Sequence, residues 1–231
     1  MEARKLILIH GQKGGVGKSL VSSLLVELAP TKPLIVECDD SAPDVARRYK
    51  NHGYEGLQIE LLTADSPADA LSDMMSSVED APEAQIVINL PAAAGSVVDE
   101  YAEQIREVAH GLQRELVAVF VIGAGQDSLA AAFKCAQSGL ASVTHRRIAV
   151  INRFFGTPAR LGWNDESRAR WRGDEVILPE LATRIADRIR TIDEPLKMIA
   201  DPDNRVIPIA DRSLLRRWLR DCEPLGRAVY E

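Results

Sequence analysis

One short glycine-rich segment constrains the fold more than any other feature of this sequence. Residues 11–19 read Gly-Gln-Lys-Gly-Gly-Val-Gly-Lys-Ser, between the apolar run 5–10 and a helical pattern that begins at Ser19. A glycine-rich turn that ends in Gly-Lys-Ser at a helix start lets successive backbone N–H groups converge on phosphate oxygens, and the helix dipole adds positive potential. We therefore predict a phosphate-binding loop between a buried strand and a helix.

The residues of this loop have separate predicted roles. Lys18 is expected to reach the β and γ phosphates of a nucleotide, and the Ser19 hydroxyl to coordinate Mg²⁺. Gly14, Gly15 and Gly17 permit positive φ angles and a close approach of the backbone to phosphate. The alternative is a glycine turn with a solvent-exposed lysine. The residues expected to contact nucleotide are Gly14, Gly15, Val16, Gly17, Lys18, Ser19 and Leu20.

The rest of the chain alternates short apolar runs with helical patterns. This alternation predicts a doubly wound, mainly parallel α/β sheet with helices on both faces, and such sheets bind ligands at the carboxyl ends of their strands. We expect a single domain over 1–231, with a loop or lid insertion around 153–178. Predicted strands are 5–10, 33–38, 85–90, 116–122, 147–152 and a short 205–209; predicted helices are 19–29, 67–78, 97–112, 128–140, 180–190, 193–200 and 211–219.

Composition narrows the class of protein. Hydrophobic residues make up 46% and charged residues 27%, as in ordinary globular proteins, and the longest apolar runs have the length of strands. The chain is therefore expected to be cytoplasmic, with no membrane attachment. Its three cysteines lie far apart without the spacing of metal ligands, so we expect reduced thiols and neither zinc nor disulfides. A net charge of -6 argues against long-range attraction of the whole molecule to DNA.

Two candidate polar groups follow later strands. Alternation along 34–38 points Glu37 and Asp39 the same way, toward the phosphate end, although an acidic turn that caps the next helix is the competing interpretation. A P-loop enzyme normally ends its third core strand with an Asp, and this chain has Asn89 there. An amide can accept a hydrogen bond from a Mg²⁺-bound water but lacks the negative charge that favours the metal shell, so we expect slow hydrolysis.

The string Gln-Lys-Gly-Gly-Val-Gly-Lys-Ser resembles the deviant Walker A loop of the ParA/MinD family, dimerising ATPases that position plasmids, chromosomes and division machinery. The resemblance implies bound ATP or ADP with Mg²⁺ and an ATP-dependent homodimer in which Lys13 crosses to the partner's nucleotide. The alternative for Lys13 is a surface charge. Glu37 and Asp39 match the family's Asp-x-Asp segment, which implies that Asp39 orients the attacking water while Glu37 and Asn89 support the Mg²⁺ shell.

The resemblance extends to three further segments. Residues 90–95 are similar to the family's second switch, which senses the γ-phosphate, and residues 206–211 to its Ile-Pro-x-Asp turn. Asn152 and Pro208 match the positions that hold adenine. An Asn amide can both donate to and accept from a purine edge, although an Asn at a strand end is also a common turn former. Ser19 followed by Leu20, in place of the family's frequent Thr-Thr, and Asn89 indicate a divergent branch, and plasmid partition or conjugative mobilisation is our expectation within it.

Arginines cluster in segments 168–172 and 212–220, the first beside two tryptophans. Arginine contacts to phosphate give sequence-independent affinity, so both clusters are candidates for non-specific DNA binding. The competing interpretation is that the arginines pair with acidic residues and the tryptophans pack in the core, which the acidic balance favours.

Three functions remain open from the sequence. The first is a slowly hydrolysing ATPase that acts as a dimeric switch and positions or segregates DNA or protein cargo, with a cargo or adaptor protein as its partner. The second is a nucleotide-binding accessory protein with little turnover. The third is a small-molecule ATP-dependent enzyme on the same scaffold.

Overall fold

A single seven-stranded parallel sheet forms the centre of the protein, in the strand order β3-β2-β4-β1-β5-β6-β7. The computed structural model describes residues 3–12, 14–61 and 66–231. Each pair of neighbouring strands is parallel, which confirms the predicted sheet. The strands are β1 (Lys5–His10), β2 (Leu34–Glu37), β3 (Gly56–Gln58), β4 (Gln85–Asn89), β5 (Glu115–Ile122), β6 (Arg146–Asn152) and β7 (Asp174–Leu178).

Helices cover both faces of this sheet, as predicted. One face packs against α3 (Pro67–Ser77), α4 (Gly95–Glu100), α5 (Ala102–Gly111), α6 (Gln126–Ser138), α7 (Leu140–Val143) and α8 (Asp165–Trp171). The other packs against α1 (Lys18–Leu28), α2 (Asp44–Tyr49), α9 (Thr183–Arg190), α10 (Leu196–Ile199), α11 (Ile209–Asp221) and α12 (Glu223–Tyr230).

The central strands are apolar along their length because both of their faces are buried. In β1, Leu6 and Leu8 enter one hydrophobic core while Ile7 and Ile9 enter the other. All six residues of β1 are buried, which is typical of a parallel strand between two helical layers. The loop that follows β1 is therefore anchored to the most enclosed part of the molecule.

Several element boundaries differ from the sequence expectation. The segment 153–178 was expected to be a loop or lid, but it contains a 3₁₀ turn (Arg153–Phe155), α8 and β7, and β7 extends the sheet beside β6. The strand predicted at 205–209 is wrong: residues 205–208 are irregular, with a bend at 206–207, and α11 begins at Ile209 after Pro208. The long helix predicted over 97–112 is interrupted at Tyr101, and the short elements α2 and β3 were not predicted.

All strands run in the same direction, so their carboxyl ends meet at one edge of the sheet. The loops after β1, β2, β4, β6 and β7 converge at this edge. Among the described residues, no helix is both long and apolar enough to span a membrane.

Candidate functional site

A cavity of about 880 Å³ opens at the carboxyl edge of the sheet. This volume lies within the range typical of small-molecule and cofactor sites. The phosphate loop and the loops after β2 and β4 form one side, and the chain after β6 and β7 forms the other. The cavity is therefore at the position that the doubly wound topology predicts for a ligand.

The phosphate loop has the backbone conformation that its glycines allow. Gly15 and Gly17 have φ angles of +76° and +101°, in the left-handed region that other residues rarely adopt. A Cβ atom at Gly17 would lie 2.7 Å from Nδ2 of Asn152, whereas one at Gly15 would meet no atom within 4 Å. Gly17 is thus required by the packing of the loop, and Gly15 leaves the backbone open to a ligand.

Lys18 is a buried cation of the site, with 6% of its surface exposed. Burial lowers the pKa of Lys18, while the nearby charge of Asp39 raises it. Ser19 and Leu20 also line the cavity. Val16 does not: its side chain is buried in the core and a Cβ at Gly123 would touch it. Lys13 lies outside the described residues.

Glu37 is bound by the protein itself. Its Oε1 accepts hydrogen bonds from Nδ2 of Asn89 at 2.7 Å and from the backbone N–H of Asp39 at 3.1 Å. Its Oε2 accepts from the backbone N–H groups of Val45 and Ala46, in the first turn of α2. A carboxylate offers about four acceptor positions. All four are occupied by protein donors, so Glu37 caps α2 and has no lone pair left for the metal role implied by the family resemblance.

The pKa of Glu37 reflects this burial. Only 2% of Glu37 is exposed, and loss of solvation raises its pKa to about 7, against the hydrogen bonds from Asn89 and the backbone, which lower it. Its charge at neutral pH therefore depends on the donors around it.

Asn89 is the second member of this buried network. Residues 37 and 89 are register partners in the parallel pair β2 and β4, which brings their side chains together. Asn89 Oδ1 accepts a hydrogen bond from the Ser22 hydroxyl at 2.8 Å while Nδ2 donates to Glu37. The amide thus links α1 to β2, and the predicted contribution of Asn89 to a metal shell gives way to a structural hydrogen-bond role in this structure. The role of Ser22 was not predicted, because the sequence does not show which residue a serine inside a helix will hydrogen-bond.

Asp39 occupies the position expected of it. It lines the cavity beside Lys18, and its Oδ1 accepts hydrogen bonds from the Ser41 hydroxyl at 2.7 Å and the Ala42 backbone N–H at 3.2 Å. Both the cavity-facing and the turn-capping interpretations of this segment are therefore realised, by different carboxylates: Asp39 faces the cavity and caps its own turn, and Glu37 caps α2.

The two residues expected to hold adenine have different locations. Asn152 lines the cavity, but its Nδ2 donates to the backbone carbonyl of Val16 at 2.9 Å and its Oδ1 accepts from the N–H of Phe154 at 3.1 Å. This amide fixes the phosphate loop to the end of β6. Pro208 precedes α11 and is absent from the residues that line the cavity.

The far wall of the cavity is mainly apolar and was not predicted. It is formed by aromatic and aliphatic side chains from the chain after β6 and β7 and from α9 and α11. Such a wall suits a planar base. Segment 153–178 was expected to be an insertion, and nothing in the sequence indicated that α9 and α11 face the same cavity. The residues of this wall are Phe154, Phe155, Leu178, Leu181, Ile189 and Trp218.

The donor set at the cavity fits a magnesium nucleotide. The loop backbone at Gly14 and Gly15 is exposed and a Cβ at Gly15 would meet open space, so phosphate can approach it. Ser19 and Asp39 offer the hydroxyl and carboxylate oxygens that Mg²⁺ prefers. Lys18 supplies positive charge next to them. Glu37 and Asn89 are engaged elsewhere, so a metal held here would rely on Ser19, Asp39, phosphate and water.

The arginine clusters are largely engaged within the protein. Arg168 pairs with Asp165 at 2.9 Å and Glu175 at 2.8 Å, and Arg170 lies over the ring of Phe133. The neighbouring Trp163 and Trp171 are buried, so they cannot serve as stacking platforms for bases. On α11, Arg212 is buried and donates to the Ile207 carbonyl, whereas Arg217 and Arg220 are exposed.

Comparison with known proteins supports this fold. The chain is 29% identical over 236 residues to the protein MobD of Acidithiobacillus ferrooxidans, with 98% of each chain covered. The fold is similar to that of the MinD cell division protein of Aquifex aeolicus, with a TM-score of 0.54, 18% identity and coverage of 94% of this chain and 97% of the other. It is also similar to the MinC:MinD complex of that organism, with a TM-score of 0.52, 15% identity and coverage of 94% and 96%.

No family model matches the sequence. The similarity to these proteins therefore rests on the sheet order, the loop at residues 11–19 and the matches above. The ParA/MinD resemblance predicted from that loop is confirmed in the fold, which is that of a MinD-type P-loop protein.

Proposed function

We propose that this protein is an ATP-binding molecular switch that hydrolyses ATP slowly, forms a homodimer when ATP is bound and positions or segregates DNA or protein cargo. One observation carries the proposal. The loop at 11–19 presents exposed glycine backbone and the buried cation Lys18 to a cavity large enough for a nucleotide, at the carboxyl edge of a parallel sheet.

Each residue of the site has a defined task in this proposal. Backbone N–H groups of the loop and Lys18 hold the phosphates, and the Ser19 hydroxyl with Asp39 holds Mg²⁺ and its water shell. Mg²⁺ neutralises charge on the phosphates when it is bound. Asp39 also orients the attacking water, because phosphoryl transfer depends on positioning and charge more than on a strong base. The partner's Lys13 completes the site across the dimer.

The expected turnover is low for a structural reason. Besides Ser19, the sequence assigned Glu37, Asp39 and Asn89 to the metal shell. Glu37 and Asn89 are held in a buried hydrogen-bond network with Ser22. Asp39 is the carboxylate left to face the cavity. A water oriented by one carboxylate, without a second charge on the metal shell, is less well preorganised for attack.

The relatives support the remaining parts of the proposal. The similarity to MobD covers 98% of this chain, and this is the reason to keep conjugative mobilisation beside plasmid partition as the process. MinD is solved in a complex with MinC, so a MinD-type surface can carry a second protein. An adaptor or cargo protein is therefore part of the proposal, and the exposed Arg217 and Arg220 are the α11 residues best placed to contact DNA.

Nucleotide binding can be tested directly by equilibrium titration with Mg²⁺-ATP. Wild type should bind one ATP per chain, and Lys18→Ala should bind at least about 100-fold more weakly, since it removes a charge-assisted contact worth about 1.5–3 kcal/mol and the positive field of the loop. Lys50→Ala is the matched control, because it removes an exposed lysine at the end of α2. Equal affinity in all three proteins would refute the assignment of the site.

The second candidate function is that of a nucleotide-binding accessory protein, which the buried network of Glu37, Asn89 and Ser22 also favours. The two functions differ in what Asp39 does. If the protein is a slow ATPase, Asp39→Asn should abolish single-turnover hydrolysis while ATP still binds. If wild type hydrolyses no ATP under single-turnover conditions, ATP is a structural ligand and the accessory function stands.

A further inference from the structure

A buried cluster of three metal-ligating side chains lies behind the phosphate loop, on the opposite face of the sheet from α1. It contains His10 at the end of β1, Asp99 in α4 and Cys135 in α6. One ligand atom from each side chain lies within 4.8 Å of the other two. None of these residues has a part in the proposed nucleotide site.

We propose that this cluster is a Zn²⁺ site. The combination of thiolate, imidazole and carboxylate is a set of zinc ligands, and three protein ligands leave the fourth tetrahedral position to water. A cation placed between three atoms at these separations lies within about 2.8 Å of each, so the side chains need to move inward by less than about 1 Å to reach zinc bond lengths of about 2.0–2.3 Å.

The environment of His10 gives an independent indication of a cation site. Its side chain is 2% exposed, and its Nε2 has no hydrogen-bond partner among the described residues. Asp99 Oδ1 lies 3.5 Å from this nitrogen, beyond the usual range of an N–H···O bond. A buried imidazole nitrogen without a partner is costly. A bound cation would satisfy it.

The surroundings hold the three ligands in place. Asp99 Oδ1 accepts the backbone N–H of Leu140 at 2.8 Å, and the Cys135 sulfur accepts that of Ala141 at 3.4 Å. These are the outer-shell hydrogen bonds that orient metal ligands. Asp99 reaches this position because residue 139 is glycine: a Cβ there would lie 2.2 Å from the Asp99 carboxylate. The His10 ring is stacked on Phe120, with centroids 4.9 Å apart.

The cluster also has a partly exposed ligand and a negatively charged one, as a cation site requires. Asp99 is partly exposed, at 16%, and gives a path from solvent to the buried histidine and cysteine. The carboxylate of Asp99 supplies a negative charge to the cation. The thiol proton of Cys135 is released to solvent when zinc binds, as in other thiolate sites. The cluster joins the strand before the phosphate loop to the helix after residues 91–94.

Co²⁺ is the most informative probe, because tetrahedral Co²⁺ bound to thiolate absorbs in the near ultraviolet and the visible. We expect wild type to bind one Co²⁺ per chain with these bands, Zn²⁺ to displace it, and excess Mg²⁺ to have no effect. Wild type alone makes the test, so it does not depend on a variant that folds. Absence of the bands at saturating Co²⁺ would overturn the proposal.

Variants assign the ligands. Loss of an outer-shell partner costs about 10–100-fold in metal affinity, so loss of a direct ligand in Cys135→Ala or Asp99→Asn should weaken binding by at least about 100-fold. Asp99→Asn keeps an oxygen to cap Leu140. Cys38→Ala and Cys222→Ala, which remove buried thiols outside the cluster, should bind Co²⁺ as wild type does. If a control loses the bands while Cys135→Ala keeps them, the assignment is wrong.

Discussion

Asn89→Asp tests whether the Asn89–Glu37 contact is structural. The change replaces the amide that donates to Glu37 Oε1 at 2.7 Å with a second carboxylate, inside a site where both residues are buried. Two carboxylates at this distance cannot both be ionised, so the pair should hold a proton well above neutral pH. In wild type, the pKa of Glu37 is about 7, so Glu37 becomes ionised above that pH.

The magnitude follows from proton linkage. Above pH 7 the folded variant retains one proton more than folded wild type, and each pH unit then costs it about 1.4 kcal/mol of stability. At pH 6, we expect the free energy of unfolding of Asn89→Asp to lie within about 1 kcal/mol of the wild-type value. By pH 8.5 the variant should lose about 2 kcal/mol more relative to wild type. Urea unfolding at pH 6, 7 and 8.5, followed by circular dichroism, measures this difference.

Two further variants make the interpretation specific. Asn204 donates to Glu194 at the same distance of 2.7 Å, but both residues are only partly buried, so Asn204→Asp should show little pH dependence. The double variant Glu37→Gln with Asn89→Asp holds one carboxylate and should lose the extra slope above pH 7. A stability difference that is constant from pH 6 to 8.5 would refute the reasoning.

The same variant also decides a mechanistic question. If Asn89 merely replaced a lost catalytic Asp, Asn89→Asp would raise ATP turnover by about tenfold or more, equivalent to at least about 1.4 kcal/mol. The structure predicts no such rise, because residue 89 faces Ser22 and Glu37.

Two more outcomes follow from the site. Gly17→Ala should weaken ATP binding by about tenfold or more and destabilise the fold by about 1–3 kcal/mol, because residue 17 has a φ of +101° and a Cβ would lie 2.7 Å from Asn152 Nδ2. Gly111→Ala is the control, because a Cβ there would meet no atom within 4 Å. Equal ATP affinity in the two variants would contradict this prediction. Glu37→Gln should flatten the dependence of stability on pH. Because the pKa of Glu37 is raised, wild type loses up to about 3 kcal/mol of stability as pH rises from 4.5 to 7. Urea unfolding that gives parallel pH profiles for wild type and Glu37→Gln would count against this prediction.

Much of the fold could be predicted because buried parallel strands carry a strong local signal. The apolar runs at β1, β4, β5 and β6 were found, and the Gly-Lys-Ser turn fixed the edge where ligands bind. The edge strand β7 was missed because one of its faces is open, with Ile177 45% exposed, so its pattern is weaker. The predicted strand at 205–209 failed because three apolar residues in a short irregular segment resemble a strand.

The position of Lys18 and Ser19 at the cavity could be predicted, because the glycine-rich turn places both residues at the start of α1. The role of a residue was not predictable where it depends on register. Glu37 and Asn89 meet because β2 pairs with β4, and this pairing turns two apparent metal ligands into a helix cap and its donor. Likewise, His10, Asp99 and Cys135 are separated widely in sequence, so cysteine spacing gave no sign of the cluster that the fold assembles.

The central claim is that ATP joins two subunits through the loop at 11–19. Its most direct test is the molar mass in solution of wild type, Lys13→Ala and the control Lys50→Ala, each with Mg²⁺-ATP, with Mg²⁺-ADP and without nucleotide. We expect wild type and Lys50→Ala to dimerise with ATP alone, while Lys13→Ala stays monomeric. A wild-type molar mass that does not change with nucleotide, or a Lys13→Ala protein that dimerises as wild type does, would contradict the claim.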